Sequence, residues 1–292
     1  MKLLAILLTL TSAAAQQPGQ GGARKENGVN DILQSSRDPK ELLRAALELA
    51  RGNQAPQHTH LAGWLWSPEF LARLDSAQEY ASTGRRLRIS MVLQALHLNA
   101  APSAQAVLVH LTQSHEFLAV ATRVDFLIKY SSSVRPVPDE LVRFWDAHFQ
   151  PDDGFSNLTA TALVENATPG ALRLLERKLA DPRFEHDDKL SWIRTDIYAH
   201  RADPPVLLFC EHLIGGNTIA NDLRFAVASA LFDPKPTEWF PPATVVVPPP
   251  LERASAEAKA IFHRLGARVE QAPWATPALK LGVKKTLATL EI

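Results

Sequence analysis

A period of ~34 residues runs through most of this chain, and it constrains the fold more than any single motif. Proline opens an apolar helical stretch at Pro68, Pro102, Pro136 or Pro138, Pro169, Pro204 and Pro236. Proline suits the first helical position, where its missing N–H would be unpaired anyway. Ser67, Thr168 and Asp203 precede three of these prolines as N-cap residues. Asp38-Pro39-Lys40-Glu41 repeats the pattern, with a capping-box glutamate three residues after the cap. The chain holds 21 prolines, so one series alone is weak. A second series keeps step with it. Aliphatic-Arg pairs occur at Leu87-Arg88, Ile193-Arg194 and Leu223-Arg224, with Arg123 and Leu158-Thr159 in the intervening slots.

The stretches between these landmarks have helical spacing. Ile89, Val92, Leu93 and Leu96 fall on one stripe. So do Phe117, Val120, Val124 and Leu127, then Leu190, Ile193 and Ile197, then Leu223, Val227, Ala230 and Leu231. Strand-like alternation is nearly absent, and two helices plus turns fill the period. The fragments Leu223–Leu231 and Leu87–Leu96 resemble the second half of a HEAT repeat, an aliphatic-Arg pair followed by small and apolar residues. Asp187, Asp188 and Asp222 resemble that family's acidic turn. The likeness covers roughly 68–240. It implies an all-α fold, a right-handed superhelix of stacked antiparallel helix pairs (a HEAT-like α-α solenoid, or armadillo-type fold) with a C-terminal helical cap. It also implies Asp–Arg ties between neighbouring repeats, involving Arg88, Arg194 and Arg224 and broken at Thr159.

The N-terminus reads as an export signal. Lys2 precedes a short apolar core, Leu3–Leu10, and Ala13-x-Ala15 is a small-residue cleavage site. The core is shorter than the ~20 residues of a bilayer span, and no later stretch reaches that length. Residues 1–15 are expected to be a Sec-type signal peptide cleaved after Ala15, which makes the protein exported: periplasmic in a bacterium, or otherwise secreted. Gln/Gly-rich residues 16–36 read as a flexible leader and 37–240 as the helical-repeat domain. Residues 241–292 read as a Pro-rich linker, with Val245–Val247 between prolines, and the C-terminal cap. In that cap Leu251–Glu270 reads as one amphipathic helix, and Ala278–Leu290 as a short helix interrupted by Gly282. Asn157-Leu158-Thr159 and Asn166-Ala167-Thr168 match glycosylation acceptors.

Lys plus Arg and Asp plus Glu are both 31, so the basic excess of a nucleic-acid binder is missing. Hydrophobic residues, at 46%, suffice for a packed fold. The single cysteine, Cys210, sits in an apolar run and reads as a buried thiol. His212 lies two residues on, a spacing that faces the two side chains apart on a helix. His58-Thr59-His60 reads as a loop with too few ligands for zinc. Glu185-His186-Asp187-Asp188 reads as a helix start, Arg85-Arg86-x-Arg88 as a solvated face, and Gly215-Gly216-Asn217 as a C-cap and turn. No phosphate loop, Gly-x-Ser-x-Gly or His-Glu-x-x-His motif occurs. No catalytic residue, cofactor or metal is assigned.

The expected function is a non-enzymatic scaffold for a protein or peptide. An all-helical periplasmic enzyme of hydrolase type and a passive structural part of an envelope assembly stand as alternatives. In a HEAT-like stack the second helix of each pair lines the concave face. Seven and eight residues beyond the opening prolines lie Val109 and His110, Trp145 and Asp146 (from Pro138), Glu176 and Arg177, and Glu211 and His212. Aromatic and Arg side chains anchor many interfaces. The expected partner stripe is Trp145 and Arg177, with His110, Glu176, Glu211 and His212 beside them.

Overall fold

A computed structural model describes residues 20–75, 80–81, 84–85, 88–235, 238 and 250–291, with 20–27, 80–81 and 84–85 by backbone alone. The expected signal peptide, the Arg85-Arg86 pair, Leu87, Pro236 and the Pro-rich linker lie outside these residues or their side chains. The described residues form an all-helical fold, with sixteen α-helices packed against one another. The only extended pairing among the described residues joins Tyr80–Ala81 antiparallel to Gly84–Arg85.

The chain divides into two compact units, residues 1–144 and 145–292. In the first, α1 (Gln20–Ser35), α2 (Pro39–Arg51), α3 (Ala55–Trp66) and α4 (Pro68–Leu74) are followed by α5 (Arg88–Leu98) and α6 (Pro102–Leu111). Short α7 (His115–Leu118), α8 (Ala121–Ser131) and the start of α9 (Asp139–Ala147) complete it. Helix α2 packs on α5 and α5 on α8, while α3 packs on α6. The second unit contains α10 (Ser156–Asn166), α11 (Pro169–Ala180), α12 (His186–Trp192), α13 (Pro204–Gly215), α14 (Asn221–Phe232), α15 (Ala256–Gln271) and α16 (Pro277–Leu290). One row there runs α10, α12, α14, α16, and a second runs α11, α13, α15. The C-terminal helices therefore extend both rows.

Local chemistry sets most helix starts. Pro39, Pro68, Pro102, Pro169, Pro204 and Pro277 each take the first helical position. Ser67, Thr168, Ser255 and Thr276 cap the N–H three residues on, and Asp38 caps Lys40. Three starts differ from expectation. Glu41 accepts from the Ser36 hydroxyl (2.9 Å) instead of closing a box on Asp38. Asp203 faces the His200 ring (2.8 Å) and caps nothing. Pro68 opens an extra short helix, because the helix that packs on α6 is α3, which starts at Ala55.

The apolar stripes are buried at Ile89, Val92, Leu93 and Leu96, at Leu223, Val227, Ala230 and Leu231, and at Ala258, Ile261, Phe262 and Leu265. Of the expected stripe residues, Leu190 is only half-buried and Val120 is exposed. It is the N-cap of α8, so the stripe through Phe117 and Val124 belongs to two helices rather than one. The expected flexible leader is helical over Gln20–Ser35. Val29 and Leu33 are buried, and Arg73 donates to the carbonyls of Leu33, Gln34 and Ser36 (2.8, 3.2 and 2.9 Å). That guanidinium satisfies the orphan carbonyls at the end of α1. His58 and His60 lie in α3, not a loop. His58 is buried, its Nδ1 2.7 Å from the Ser103 hydroxyl and its Nε2 3.3 Å from the Asn99 amide.

Two further differences concern the C-terminal part. Leu251–Arg253 is a separate 3-10 turn before α15. Gly282 does not interrupt α16. It lets that helix approach the end of α14, where an added Cβ would meet the Phe232 carbonyl oxygen at 2.7 Å. Gly282→Ala should therefore cost the second unit about 2 kcal/mol, since helix propensity favours alanine but backbone must shift. Urea denaturation followed by far-UV circular dichroism measures this, and an unchanged or raised midpoint would refute the tight approach.

Candidate partner groove

The first turns of α11 and α13 start side by side and form the walls of one groove. Ala167, in the left-handed conformation (φ 53°), ends α10 and turns the chain so that Thr168 and Pro169 can start α11. Pro204 starts α13 without a side-chain cap from Asp203. The hollow between them measures about 670 Å³. Leu172, Leu208 and Phe209 line it, Pro169 and Pro205 flank one end, and Glu176 and His212 close the other. Glu257 of α15 contributes to the rim. Leu208 is 46% exposed, one of few large apolar side chains so placed. His212 Nε2 lies 2.9 Å from Glu176 Oε1.

The Glu176–His212 contact is one rung of a longer ladder. Asp146, at the end of α9, meets Lys178 (2.6 Å) and Arg177 (3.6 Å) of α11. Glu211 of α13 accepts from Arg264 Nε (3.1 Å) and Nη2 (2.9 Å) of α15, with Arg268 at 3.5 Å. The Arg264 hydrogen bonds hold the Glu211 carboxyl below its usual range, against a smaller opposing effect of burial. Two-pronged guanidinium–carboxylate contacts are the stronger kind of ion pair, although Arg264 is half exposed and screened by water. Lys178 is buried and also sits over the rings of Phe149 (5.5 Å) and Phe184 (5.9 Å).

The expected stripe thus splits by depth. The seventh position after each helix-opening proline points inward: Val109, Trp145 and Glu211 are buried, and the Glu176 side chain is only 15% exposed. The eighth position carries the open side chains Asp146, Arg177 and His212. Trp145 therefore cannot act as a surface anchor. It lies on the buried stripe of α9 with Leu141 and Phe144. Glu211 is likewise corrected from partner contact to ion-pair partner of α15. His110 belongs to the first unit, half-buried and stacked on Trp66 at 4.2 Å, and burial lowers its pKa. Glu176 and His212 meet at the groove, and Arg177 stands beyond it on Asp146.

The landmark arginines tie turns to helices. Arg88 donates to the Leu74 carbonyl (3.3 Å), and Arg123 meets Asp75 one residue on (3.5 Å). Arg224 donates to the Ile219 carbonyl and the Asn217 side chain (both 3.1 Å). Thr159 donates instead within its own neighbourhood, near the carbonyls of His148 and Phe155. Asp222 faces His186 (3.5 Å), not an arginine.

One residue with unusual chemistry has no signature in the sequence. Helix α12 continues into a single π-turn, Ile193–Ile197, a geometry that inserts one residue into the helical register. That turn holds Asp196, 6% exposed, 2.8 Å from the Thr161 hydroxyl. Burial pushes its carboxyl up to about 7; the Thr161 contact opposes this and the Glu165 charge adds to it. Thr161 Oγ1 also lies 3.1 Å from the Asn157 carbonyl. A hydroxyl has one proton to give. With Asp196 protonated, the acid donates to Thr161 and Thr161 donates to Asn157. With Asp196 ionised, one of those acceptors loses its donor.

Cys210 is fully buried, and burial pushes its thiol up to about 12. Asn166 is buried with Oδ1 engaged by Thr168, so it offers no open acceptor amide. No three His, Cys, Asp or Glu residues cluster as a metal site among the described residues. No described helix is long and apolar enough to cross a membrane. No protein-family model, curated protein or solved structure matches the chain.

Proposed function

We propose that this chain is an exported, non-enzymatic scaffold of HEAT-like architecture that binds a protein or peptide partner between α11 and α13. The reading takes the helix pairs as repeats of one right-handed superhelix closed by the C-terminal helices. It is supported by the two rows of packed helices in the second unit and by the signal-like N-terminus. The observation that carries it is Leu208, nearly half exposed in a concave, largely apolar hollow. Completing the burial of such a side chain is worth about 1 kcal/mol. The Glu176–His212 pair gives the same hollow a polar end that fixes orientation, the usual design of a recognition site.

The test is co-purification from the native host with quantitative mass spectrometry, followed by binding of the purified partner. Leu208→Glu should weaken binding roughly tenfold or more while leaving helicity unchanged. His212→Ala should have a smaller effect. A partner held equally by parent and Leu208→Glu places the contact elsewhere and sinks this site.

A further inference from the structure

The first unit carries a second surface whose chemistry is different. On α2, Lys40, Arg44, Leu47 and Arg51 follow at spacings of four, three and four, so they form one stripe along the helix. Two adjoining hollows of about 600 and 450 Å³ flank that stripe and share Leu47 and Arg51. The second is completed by α5, where Leu98 is 74% and Met91 42% exposed. These are the two most unusual exposures in the unit, since a soluble surface gains nothing from placing them together. Among the described residues, Arg44 and Arg51 have no ion pair or hydrogen bond. Glu48 is the one carboxylate lining either hollow, against three cations.

We infer that the α2–α5 face binds an acidic amphipathic helix of a protein partner, its leucines in the hollow at Leu47, Met91 and Leu98 and its carboxylates on Arg44 and Arg51. Helix-in-groove recognition needs an apolar trough with charges along one edge, and both are present. Charge complementarity fixes the sign of the partner: unpaired guanidinium groups meet carboxylates in two-pronged contacts. Concavity separates this from attraction to an anionic bilayer, which a flat or convex basic face serves as well. The inference does not rest on the α11–α13 groove, which lies in the other unit.

The test uses the full chain and a fluorescein-labelled synthetic helix with leucines at i, i+3, i+4 and i+7 and glutamates elsewhere. Fluorescence anisotropy should show saturable binding that weakens with salt. The same peptide with lysine for glutamate should bind at least tenfold more weakly. Arg44→Glu/Arg51→Glu and Leu98→Asp should each reduce affinity for the acidic peptide roughly tenfold, with circular dichroism unchanged because all three positions are exposed. Leu208→Glu should leave it untouched, which separates this surface from the other groove. Equal affinity for the acidic and basic peptides, or full binding by the double charge reversal, overturns the inference. So does the absence of peptide binding together with sedimentation on phosphatidylglycerol vesicles, an outcome that assigns the face to a membrane.

Discussion

At pH 8 the Asp196→Asn variant should be more stable than the parent, by about 4 kcal/mol at the upper bound, and at pH 4 the two should nearly coincide. The sign follows from proton binding. The folded carboxyl titrates at about 7 and the unfolded one near 3.8. Between those values the folded chain holds a proton that the unfolded chain has lost, so stability falls as pH rises. The contribution is complete below about pH 4 and gone above about pH 7. Three pH units at ~1.4 kcal/mol each set the bound. Asparagine keeps the shape and stays neutral, and its amide donates to Thr161 in place of the acid O–H. Urea denaturation of both proteins at pH 4, 6 and 8 measures the difference. Parallel stability curves would show that Asp196 is ionised, or hydrated, in the native state.

Trp192→Ala should cost the second unit about 4 kcal/mol, within the range for removing a large buried aromatic. The indole is 1% exposed and stands edge-on to Phe149 (4.9 Å) and Phe184 (5.2 Å). Its Nε1 donates to Asn157 Oδ1 at 2.8 Å. Truncation leaves a cavity, takes a ring contact from both phenylalanines and leaves the Asn157 side chain unpaired. Trp192→Phe should recover part of the loss by refilling the cavity without the hydrogen bond. Circular dichroism is the suitable probe, because the mutation itself removes a fluorophore. A loss below about 1 kcal/mol for the alanine variant would mean that the cluster collapses around the missing ring.

The candidate site was only half legible. Glu176 and His212 could be placed side by side from the repeat, because equivalent positions on stacked helices are neighbours. Leu208 could not. The first two turns of α13 read Pro-Pro-Val-Leu-Leu-Phe-Cys, apolar on every face, so their pattern does not say which leucine turns outward. Packing decides it, burying Leu207 and leaving Leu208 in the groove. Trp145 failed for the complementary reason. Spacing puts it on the stripe, but only the depth of the seventh position separates a core indole from a surface one. Asp196 had no signal at all, since its burial goes with a π-turn that shifts the helical register and packs on α10 and α14.

What the sequence determined by itself is what short-range chemistry controls. Proline at the first helical position, with Ser or Thr before it, fixes where helices begin through the φ of one ring and one hydroxyl-to-amide bond. Apolar spacing fixes which stripe of α5, α14 and α15 is buried. The tertiary structure decided what depends on distance between segments. It folded Gln20–Ser35 because Arg73 and the core were there to receive it. It packed α15 on α13 and α16 on α14, and it paired Glu211 with Arg264. It also brought Arg51 of α2 and Leu98 of α5 to one hollow. Each of these rests on a contact between residues far apart in the chain, and the identity of one partner carries no information about the position of the other until the helices are packed.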